Sequence, residues 1–286
     1  MRPTAEDVTR GLDLRGRRII ITGGGSGLGA ETARVLARAG AEVTVGVRTP
    51  VPTPPAGVRA RPLDLADLGS VRAFAAAWDG PLDALIANAG VMALANRRLS
   101  PAGWEMHLAV NHLGHFALAT ALHPALRASG HGRLVVLSSG AHRDHPLDRD
   151  DPHFAHRPYD RWAAYGQSKT ADVLLAVEAA RRWAGDGILA NAANPGWVMT
   201  GLQRHVDDAT MTAMGATDAN GTVIPRPYSR TLAEGAAGPV TLAVSATTTG
   251  AYYEDTAPSA NVAPHATDPE TAAWLWDHAS EAVRAA

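Results

Sequence analysis

The 286-residue sequence contains no cysteine. It can therefore form no disulfide, use no cysteine nucleophile and hold no metal through thiolates. Neither sign of charge is in excess, because 26 basic and 28 acidic residues leave a formal net charge of −2. This balance gives no electrostatic reason to bind nucleic acid or an anionic membrane. Long apolar runs are also missing. No window reaches the ~18 residues of a membrane span, and residues 1–18 lack the apolar core of a signal peptide. We therefore expect a cytoplasmic protein.

Short β-rich runs alternate with alanine-rich helical runs along the chain. Strands are predicted at 18–22, 42–47, 58–63, 84–87, 133–137, 188–193 and 250–253, and helices at 27–39, 66–78, 101–126, 162–184, 231–245 and from 269 onward. This alternation predicts an α/β fold, a single Rossmann-type doubly wound parallel sheet with helices on both faces. The strands are apolar without strict alternation, as burial on both faces requires. No composition shift divides the chain, so residues 1–286 are predicted to form one domain, with the proline-rich 50–55 segment as a surface loop.

A glycine-rich turn joins the first predicted strand to the first predicted helix. Its sequence, TGGGSGLG from Thr22 to Gly29, follows the pattern T-G-x-x-x-G-x-G. Glycines allow a tight turn and a close approach of backbone N–H groups to a pyrophosphate, and the helix N-terminus adds partial positive charge. A nucleophile elbow is excluded because Leu28 replaces its last glycine, and a kinase-type P-loop is excluded because no lysine follows. The predicted cofactor-binding residues of this turn are Gly23, Gly25, Ser26, Gly27, Leu28 and Gly29.

The end of the second strand bears on the choice between NAD and NADP. Enzymes that prefer NAD place an acid there to hold the ribose 2′-hydroxyl. This sequence has no acid over residues 45–49 and carries Arg48 instead, which is suited to a 2′-phosphate. The alternative is a solvated arginine at a strand end. The chemistry favours NADP, with NAD as the less favoured cofactor.

Tyr165 and Lys169 are four residues apart at the start of a predicted helix. Residues with this spacing share a helix face, so the phenol and the ammonium can point at one site. A nearby ammonium favours the phenolate form of a tyrosine and so makes it a better base. Lys169 is also the only lysine in the chain, against 25 arginines. A chain that avoids lysine but keeps one here suggests a role that arginine cannot fill.

Together these motifs resemble the short-chain dehydrogenase/reductase family, and the resemblance spans the chain from about Arg17 onward. Further family motifs match, although Ala87 stands where the family usually has an asparagine. The run Asn111–Phe116 (NHLGHF) and the 26-residue separation of Ser139 from Tyr165 are similar to the retinol-dehydrogenase-like subgroup. The resemblance implies further cofactor-binding residues, namely Asp64, Leu65, Asn88, Ala89, Gly90, Pro195, Gly196, Val198 and Thr200, together with Tyr165 and Lys169.

The resemblance also implies a catalytic set of Asn111, Ser139, Tyr165 and Lys169. Tyr165 would be the general acid in reduction, and Ser139 would donate a hydrogen bond to the carbonyl oxygen. Lys169 would assist Tyr165 and hold the nicotinamide ribose, and Asn111 would position a water that links Lys169 to solvent. Ser138 is predicted to be structural. The resemblance implies an NADP-dependent oxidoreductase that transfers a hydride between the cofactor and an alcohol or carbonyl group. Two other functions stay open: a lyase or epimerase on a similar fold, and a nucleotide-sensing protein without turnover.

The segment 200–230 has no regular pattern and is predicted to cover the substrate pocket. Five apolar residues in or directly before it suit an apolar substrate or ordinary packing, and they are Met199, Leu202, Met211, Met214 and Val223. The histidines and acids of the 142–156 segment have no ligand spacing, so we predict a loop at the site's rim and no metal. The sequence leaves the oligomeric state open between a homodimer and a homotetramer.

Overall fold

The computed structural model describes residues 2–49 and 54–286. Most of the proline-rich 50–55 segment lies outside the described residues. The strands are β1 Arg18–Thr22, β2 Glu42–Val47, β3 Val58–Pro62, β4 Ala84–Ala87, β5 Arg133–Leu137, β6 Leu189–Asn194, β7 Trp197–Val198, β8 Ser229–Arg230, β9 Tyr252–Glu254 and β10 Ala257–Pro258. The α-helices are α1 Ala5–Thr9, α2 Gly27–Arg38, α3 Leu68–Ala76, α4 Gly114–Ala128, α5 Arg161–Arg182, α6 Asp208–Ala213, α7 Leu232–Gly235, α8 Ala237–Val244 and α9 Pro269–Ala285.

The main sheet has the strand order β10-β9-β6-β5-β4-β1-β2-β3. Every pairing in it is parallel except that of β10 with β9. The strand order reverses between β1 and β4, which makes this the topological switch point where open α/β sheets bind ligands. The predicted doubly wound parallel sheet is therefore confirmed.

The core lies in two layers, one on each face of the sheet. Along β1, Ile20 packs into one layer with residues of α3, α4, α5 and α9, whereas Ile19 and Ile21 pack into the other with residues of α1, α2 and α8. Successive side chains of a strand point to opposite faces. Both faces are covered here, so both sets of positions are apolar, and this is why the strands lack strict alternation.

The predicted helix at 101–126 begins later than the sequence suggested. Residues 101–104 form a turn, and a π-helix over Leu108–Leu113 runs directly into α4. The buried Glu105 side chain accepts hydrogen bonds from the backbone N–H groups of His107 (2.8 Å) and Leu108 (3.1 Å). It thereby satisfies the free donors of a helix start, so the helix begins at this point.

Three other segments also differ from the sequence prediction. The single helix predicted at 231–245 is two helices, because Pro239 has no N–H to donate to the carbonyl of residue 235. The short helix α1 was not predicted, although Thr4 and Asp7 form a capping box at its start. The 200–230 segment contains α6 and a 3₁₀ helix over Gly201–His205. Among the helices of the described residues, none combines the length and the apolarity that a membrane crossing needs.

Candidate active site

A cleft of about 890 Å³ opens at the carboxyl ends of the parallel strands, across the switch point between β1 and β4. Ser139, Tyr165 and Lys169 line this cleft, whereas Asn111 lies behind its wall. The cleft is also lined by all the predicted cofactor-binding residues: Gly23, Gly25, Ser26, Gly27, Leu28, Gly29, Arg48, Asp64, Leu65, Asn88, Ala89, Gly90, Pro195, Gly196, Val198 and Thr200. Residues that are up to 177 positions apart between Gly23 and Thr200 are thus gathered at one edge of the sheet.

The glycine turn between β1 and α2 has no room for a side chain at Gly23, Gly24 or Gly29, and two of these glycines lie against the end of β4. Gly23 has φ +68°, and a Cβ there would lie 2.9 Å from the Cα of Ala89. A Cβ on Gly29 would lie 2.5 Å from Nδ2 of Asn88. These glycines let the turn pass directly over the end of β4, which brings the backbone of the turn to the floor of the cleft.

The N-terminus of α2 opens into this cleft without a side-chain cap. Ser26 is its N-cap residue but makes no capping hydrogen bond. By contrast, Asp67, Asp160 and Asp268 accept hydrogen bonds from backbone N–H groups at the starts of α3, α5 and α9. The free N–H groups and the partial positive charge of α2 suit an anionic group such as a phosphate. The cleft residues therefore fit a dinucleotide at this end.

Hydrogen bonds join the ends of β1 and β4 beneath the glycine turn. Asn88 Nδ2 donates to the Thr22 carbonyl at 2.8 Å, and the Thr22 hydroxyl accepts from the N–H groups of Asn88 (2.9 Å) and Ala89 (3.0 Å). His115 Nε2 lies 2.8 Å from the same hydroxyl. This network holds the Asn-Ala-Gly turn in place and provides the rigid base on which the cleft rests.

Ser138 and Ser139 at the end of β5 have different environments. Ser138 is buried, and its hydroxyl donates to the Lys169 carbonyl at 2.8 Å. Ser139 is half-buried and faces the cleft, where its hydroxyl accepts a long bond of 3.3 Å from Ala141 N–H. The structure therefore places Ser138 as a brace between β5 and α5 and leaves the Ser139 hydroxyl at the cleft wall.

Tyr165 and Lys169 lie one turn apart on the first half of α5. Both are 5% exposed, and the Lys169 Nζ atom is 5.9 Å from the centroid of the Tyr165 ring. Nζ donates to the Leu137 carbonyl at 2.9 Å and to Asp172 Oδ2 at 2.7 Å. The predicted pair is thus brought together on one face, and a carboxylate that the sequence analysis did not single out is bound to its ammonium.

Asp172 is a site residue that sequence reasoning missed. It is 1% exposed, and burial raises the pKa of its carboxyl while the Lys169 ammonium opposes that rise. Burial also acts to lower the pKa of Lys169, but Asp172 and Tyr165 outweigh it, and the pKa of Lys169 is raised. A signal was present in the sequence, because an acid three residues after the only lysine lies on the same helix face.

Asn111 occupies the π-helix and is fully buried. Its Oδ1 accepts from Val91 N–H at 2.9 Å, and its Nδ2 donates to the Val91 carbonyl (3.1 Å) and to the Ser168 hydroxyl (2.8 Å). The Asn111 side-chain amide therefore links the backbone of Val91, in the cleft wall, to Ser168 of α5. The structure brings Asn111 next to Ser168, and its side chain makes no direct bond to Lys169.

Two arginines line the far end of the cleft. Arg48 follows β2 and Arg204 lies in the 3₁₀ helix over Gly201–His205, and both are exposed. Burial and then the nearby charge of Arg48 lower the pKa of Arg204. Within residues 2–49 and 54–286, the observed ion pairs include neither arginine. Arg204 was missed by the sequence analysis because the irregular segment that carries it gives no local pattern.

Apolar side chains surround the part of the cleft next to Tyr165. Met92, Trp162, Trp197 and Leu202 line the cleft and pack in one cluster with Tyr165, and Met214 also lines the cleft. Leu202 and Met214 were predicted, whereas the other three were not. Of the other predicted apolar residues, Met199 and Met211 pack in the same cluster with Tyr165 but do not line the cleft, and Val223 is exposed.

The histidines of the 142–156 segment are engaged separately. His142 is buried between the Ser139 carbonyl (2.6 Å) and the Ala263 N–H (3.2 Å). His153 packs against the ring of Trp104, with 5.1 Å between ring centroids. Over residues 2–49 and 54–286, no three histidine, aspartate or glutamate side chains gather as a metal site.

Comparison with known proteins identifies the family that this chain resembles. A family model described as short chain dehydrogenase matches residues 17–210. A Streptomyces antibioticus protein named "Probable oxidoreductase" is 56% identical over 96% of this chain and 100% of its own length. Human retinol dehydrogenase 13 is 38% identical over 94% of this chain and 85% of its own length. The predicted resemblance to retinol-dehydrogenase-like proteins is thereby confirmed.

Solved structures share the fold as well. An uncharacterized protein from Mycobacterium paratuberculosis matches with a TM-score of 0.80 and 33% identity, covering 99% of this chain and 98% of its own. A gluconate 5-dehydrogenase from Burkholderia cenocepacia, solved with NADP and tartrate, matches with a TM-score of 0.64 and 27% identity, covering 88% and 97%. The chain therefore belongs to the short-chain dehydrogenase/reductase family of NAD(P)-dependent oxidoreductases.

Proposed function

We propose that this enzyme transfers a hydride between NADP(H) and the carbonyl or alcohol group of a small apolar substrate. The observation that carries the proposal is the meeting of Ser139, Tyr165 and Lys169 with the glycine turn in one cleft. A proton donor, an ammonium and a phosphate-binding backbone are the parts that carbonyl reduction by a dinucleotide requires.

The residues of the cleft would hold the cofactor from both ends. The glycine turn and the free N-terminus of α2 would bind its phosphates, and Asp64 with Leu65 would line the adenine end. Lys169 would bind the nicotinamide ribose, with the segment from Pro195 to Thr200 beside the ring. When bound, the nicotinamide supplies the hydride, and the protein supplies position and electrostatics.

Tyr165 is the proposed general acid in reduction and the general base in oxidation. Its hydroxyl would give a proton to the developing alkoxide, while Ser139 donates a hydrogen bond to the same oxygen. The Lys169 ammonium, whose Nζ is 5.9 Å from the Tyr165 ring centroid, would stabilise the negative charge that develops as the proton leaves the hydroxyl.

Asn111 enters the proposal as a positioning residue. Its amide joins the Val91 backbone to Ser168, one residue before Lys169 on α5. This bond sets the distance between the cleft wall and the helix that carries Tyr165 and Lys169. A water linking Asn111 to Lys169 stays a prediction.

The preference for NADP over NAD rests on the charge at the far end of the cleft. Arg48 and Arg204 repel each other there, because they are close enough for the charge of one to lower the pKa of the other. A ribose 2′-phosphate would relieve this repulsion and accept hydrogen bonds from a guanidinium. The solved gluconate 5-dehydrogenase with NADP is a relative of the same fold.

The apolar substrate follows from the lining near Tyr165. Trp162, Trp197 and Met92 are large, and they would bury an apolar or aromatic group beside the reacting carbonyl. Contacts of this kind discriminate against strongly polar substrates, since those would lose hydrogen bonds to water.

The test is to follow NADPH absorbance at 340 nm with matched pairs of ketones, one apolar and one carrying hydroxyl or carboxylate groups. We expect turnover with the apolar member of each pair and a loss of turnover in Tyr165→Phe. The absence of turnover across both sets, in both directions and with both cofactors, would overturn the proposal and favour a binding protein.

The wider parts of the proposal concern organisation. We take residues 1–286 as one catalytic domain, since β1 to β6, β9 and β10 form one continuous sheet in the described residues. We also propose a cytoplasmic location, which cell fractionation would test. We propose a homodimer or homotetramer, which light scattering of the purified protein would test.

A further inference from the structure

The carboxylate of Asp172 is buried, and keeping it ionised there costs free energy. It is 1% exposed, and its Oδ1 has no hydrogen-bond partner among the described residues. Its Oδ2 accepts from the Lys169 Nζ at 2.7 Å. A buried ion pair is seldom a net gain in stability, because removing two charges from water offsets their attraction. A pair with one unsatisfied oxygen is therefore poorly explained by stability alone.

Among the described residues, Lys169 is the one cation seen to act on Asp172. The helical segment packed against α5 carries His112 and His115, and burial lowers their pKa values to about 3 and about 4. Both are therefore neutral near pH 7. The titratable groups whose charges act on Lys169 besides Asp172 are Tyr165 and His115, while His112 lies at the neighbouring Ala171 backbone with His278 of α9 near it.

The ion pair of Asp172 and Lys169 also limits the hydrogen bonds that the ammonium can donate to the cleft. Lys169 has three donors, and the Leu137 carbonyl and Asp172 take two of them. One donor is left for the cleft. The negative charge of Asp172 also reduces the field of the ammonium at the Tyr165 hydroxyl, because a carboxylate opposes the loss of a proton from a nearby phenol.

We propose that Asp172 is a positioning residue that holds the Lys169 ammonium in place and sets the pH range in which Tyr165 exchanges its proton. This inference rests on the proposed roles of Tyr165 and Lys169. Asp172 itself touches neither substrate nor cofactor, since it does not line the cleft.

The single lysine of the chain makes a direct test practical. Protein labelled with ¹³C at lysine gives one side-chain Cε signal, that of Lys169, and its titration reports the ammonium without any substrate. In Asp172→Asn the partner charge is lost and burial dominates. We expect the midpoint of the Lys169 titration to fall by about 2 pH units, within the range known for buried lysines.

The matched control is Glu178→Gln on the same helix. Glu178 is also 1% exposed and paired with cations, Arg181 and Arg182, but it does not line the cleft. The Glu178→Gln substitution removes one negative charge from α5, as Asp172→Asn does, but about two turns further along the helix. We expect a Lys169 midpoint equal to that of the wild type, even if thermal unfolding shows a similar loss of stability.

The functional readout is the pH profile of alcohol oxidation. While the NMR titration shows Lys169 still protonated, Asp172→Asn should move the acidic limb of the kcat profile to lower pH, because the negative charge that offsets the Lys169 ammonium is gone. The Glu178→Gln profile should overlay the wild type. Cofactor KM should change less than threefold, as the ammonium remains.

The two hypotheses fail in different ways. If Asp172→Asn and Glu178→Gln give the same Lys169 midpoint, the positioning role is overturned, whatever the activity. If the Lys169 midpoint falls but the pH profile of an active enzyme does not move, Asp172 holds the lysine without setting the pH range of Tyr165. The proposed effect on the pH range is then wrong. If the wild type turns over no carbonyl or alcohol, the proposed function fails, and the proposed effect on Tyr165 fails with it.

Discussion

The two ends of the cleft carry positive charge in opposite ways. At one end, Lys169 is 5% exposed and bound to Asp172. At the other end, Arg48 and Arg204 are exposed and near each other, and neither belongs to the ion pairs observed in the described residues. A buried charge needs an internal partner and acts strongly on its neighbours, whereas an exposed charge is screened by salt and is available to a ligand. The comparison supports our proposal that the first end carries out proton chemistry and that the second end selects the cofactor.

The largest effect is expected from the buried end. Tyr165→Phe keeps the ring and removes the hydroxyl, so turnover should fall by ~10²–10⁴-fold, the usual contribution of general acid–base catalysis. NADPH titration by fluorescence should give an affinity close to that of the wild type. Turnover within threefold of the wild type would remove Tyr165 from the mechanism and break the assignment of the buried end.

Loss of the lysine should affect both chemistry and folding. Lys169→Met strands the Asp172 carboxylate in a buried site, and such a loss costs ~3–5 kcal/mol of unfolding free energy. Lys169→Met/Asp172→Asn removes both charges and should recover much of that stability in thermal unfolding. The double variant should still lose about 10²-fold in turnover and bind NADPH about tenfold more weakly, as a charged hydrogen bond to the ribose is absent. Unchanged NADPH affinity would disprove the ribose role.

The exposed end should change cofactor choice and little else. Hydrogen bonds to charged groups contribute ~1.5–3 kcal/mol, so Arg48→Ala should raise the KM for NADPH about tenfold or more. The KM for NADH should stay within about twofold, because NADH has no 2′-phosphate. A wild type that uses NADH better, or an Arg48→Ala variant that affects both cofactors equally, would make Arg48 a solvated residue at a strand end.

The smallest effect is expected at Arg204. An exposed pair is worth ~0.2–1 kcal/mol, so Arg204→Ala should raise the KM for NADPH by at most about fivefold. Salt sharpens the comparison. Raising the ionic strength to about 0.5 M should weaken the binding of NADPH more than the binding of NADH in the wild type. In Arg48→Ala/Arg204→Ala, salt should weaken the binding of the two cofactors almost equally. An identical salt response of the two cofactors in the wild type would contradict the assignment of the exposed end.

The parts of the fold that were predicted correctly depend on local signals. The bounds of β1, β2, β4 and β5 match to the residue, because each is a short apolar run that ends at a turn signal. The glycine turn and the Tyr165/Lys169 spacing are likewise contained in a few consecutive residues. Such patterns are visible in a sequence because neighbouring residues alone produce them.

The errors have a tertiary origin. The helix expected at 101–126 starts only after Glu105, because the buried Glu105 side chain caps it, and nothing local shows that Glu105 is buried. Asp172 counted only as one more charge in a helix until the structure showed its contact with Lys169. Arg204 and Arg48 are 156 residues apart and meet only after the irregular segment has folded over the cleft.

The π-helix at Leu108–Leu113 has a consequence for how this enzyme can diverge. A π-helix inserts one residue into a helical turn, and an α-helix turns by about 100° per residue. Losing or gaining a single residue before Asn111 would therefore rotate its amide away from Ser168 and Val91, which it now joins. We therefore expect homologues to keep the number of residues in this stretch, and to carry insertions or deletions in the 200–230 segment instead.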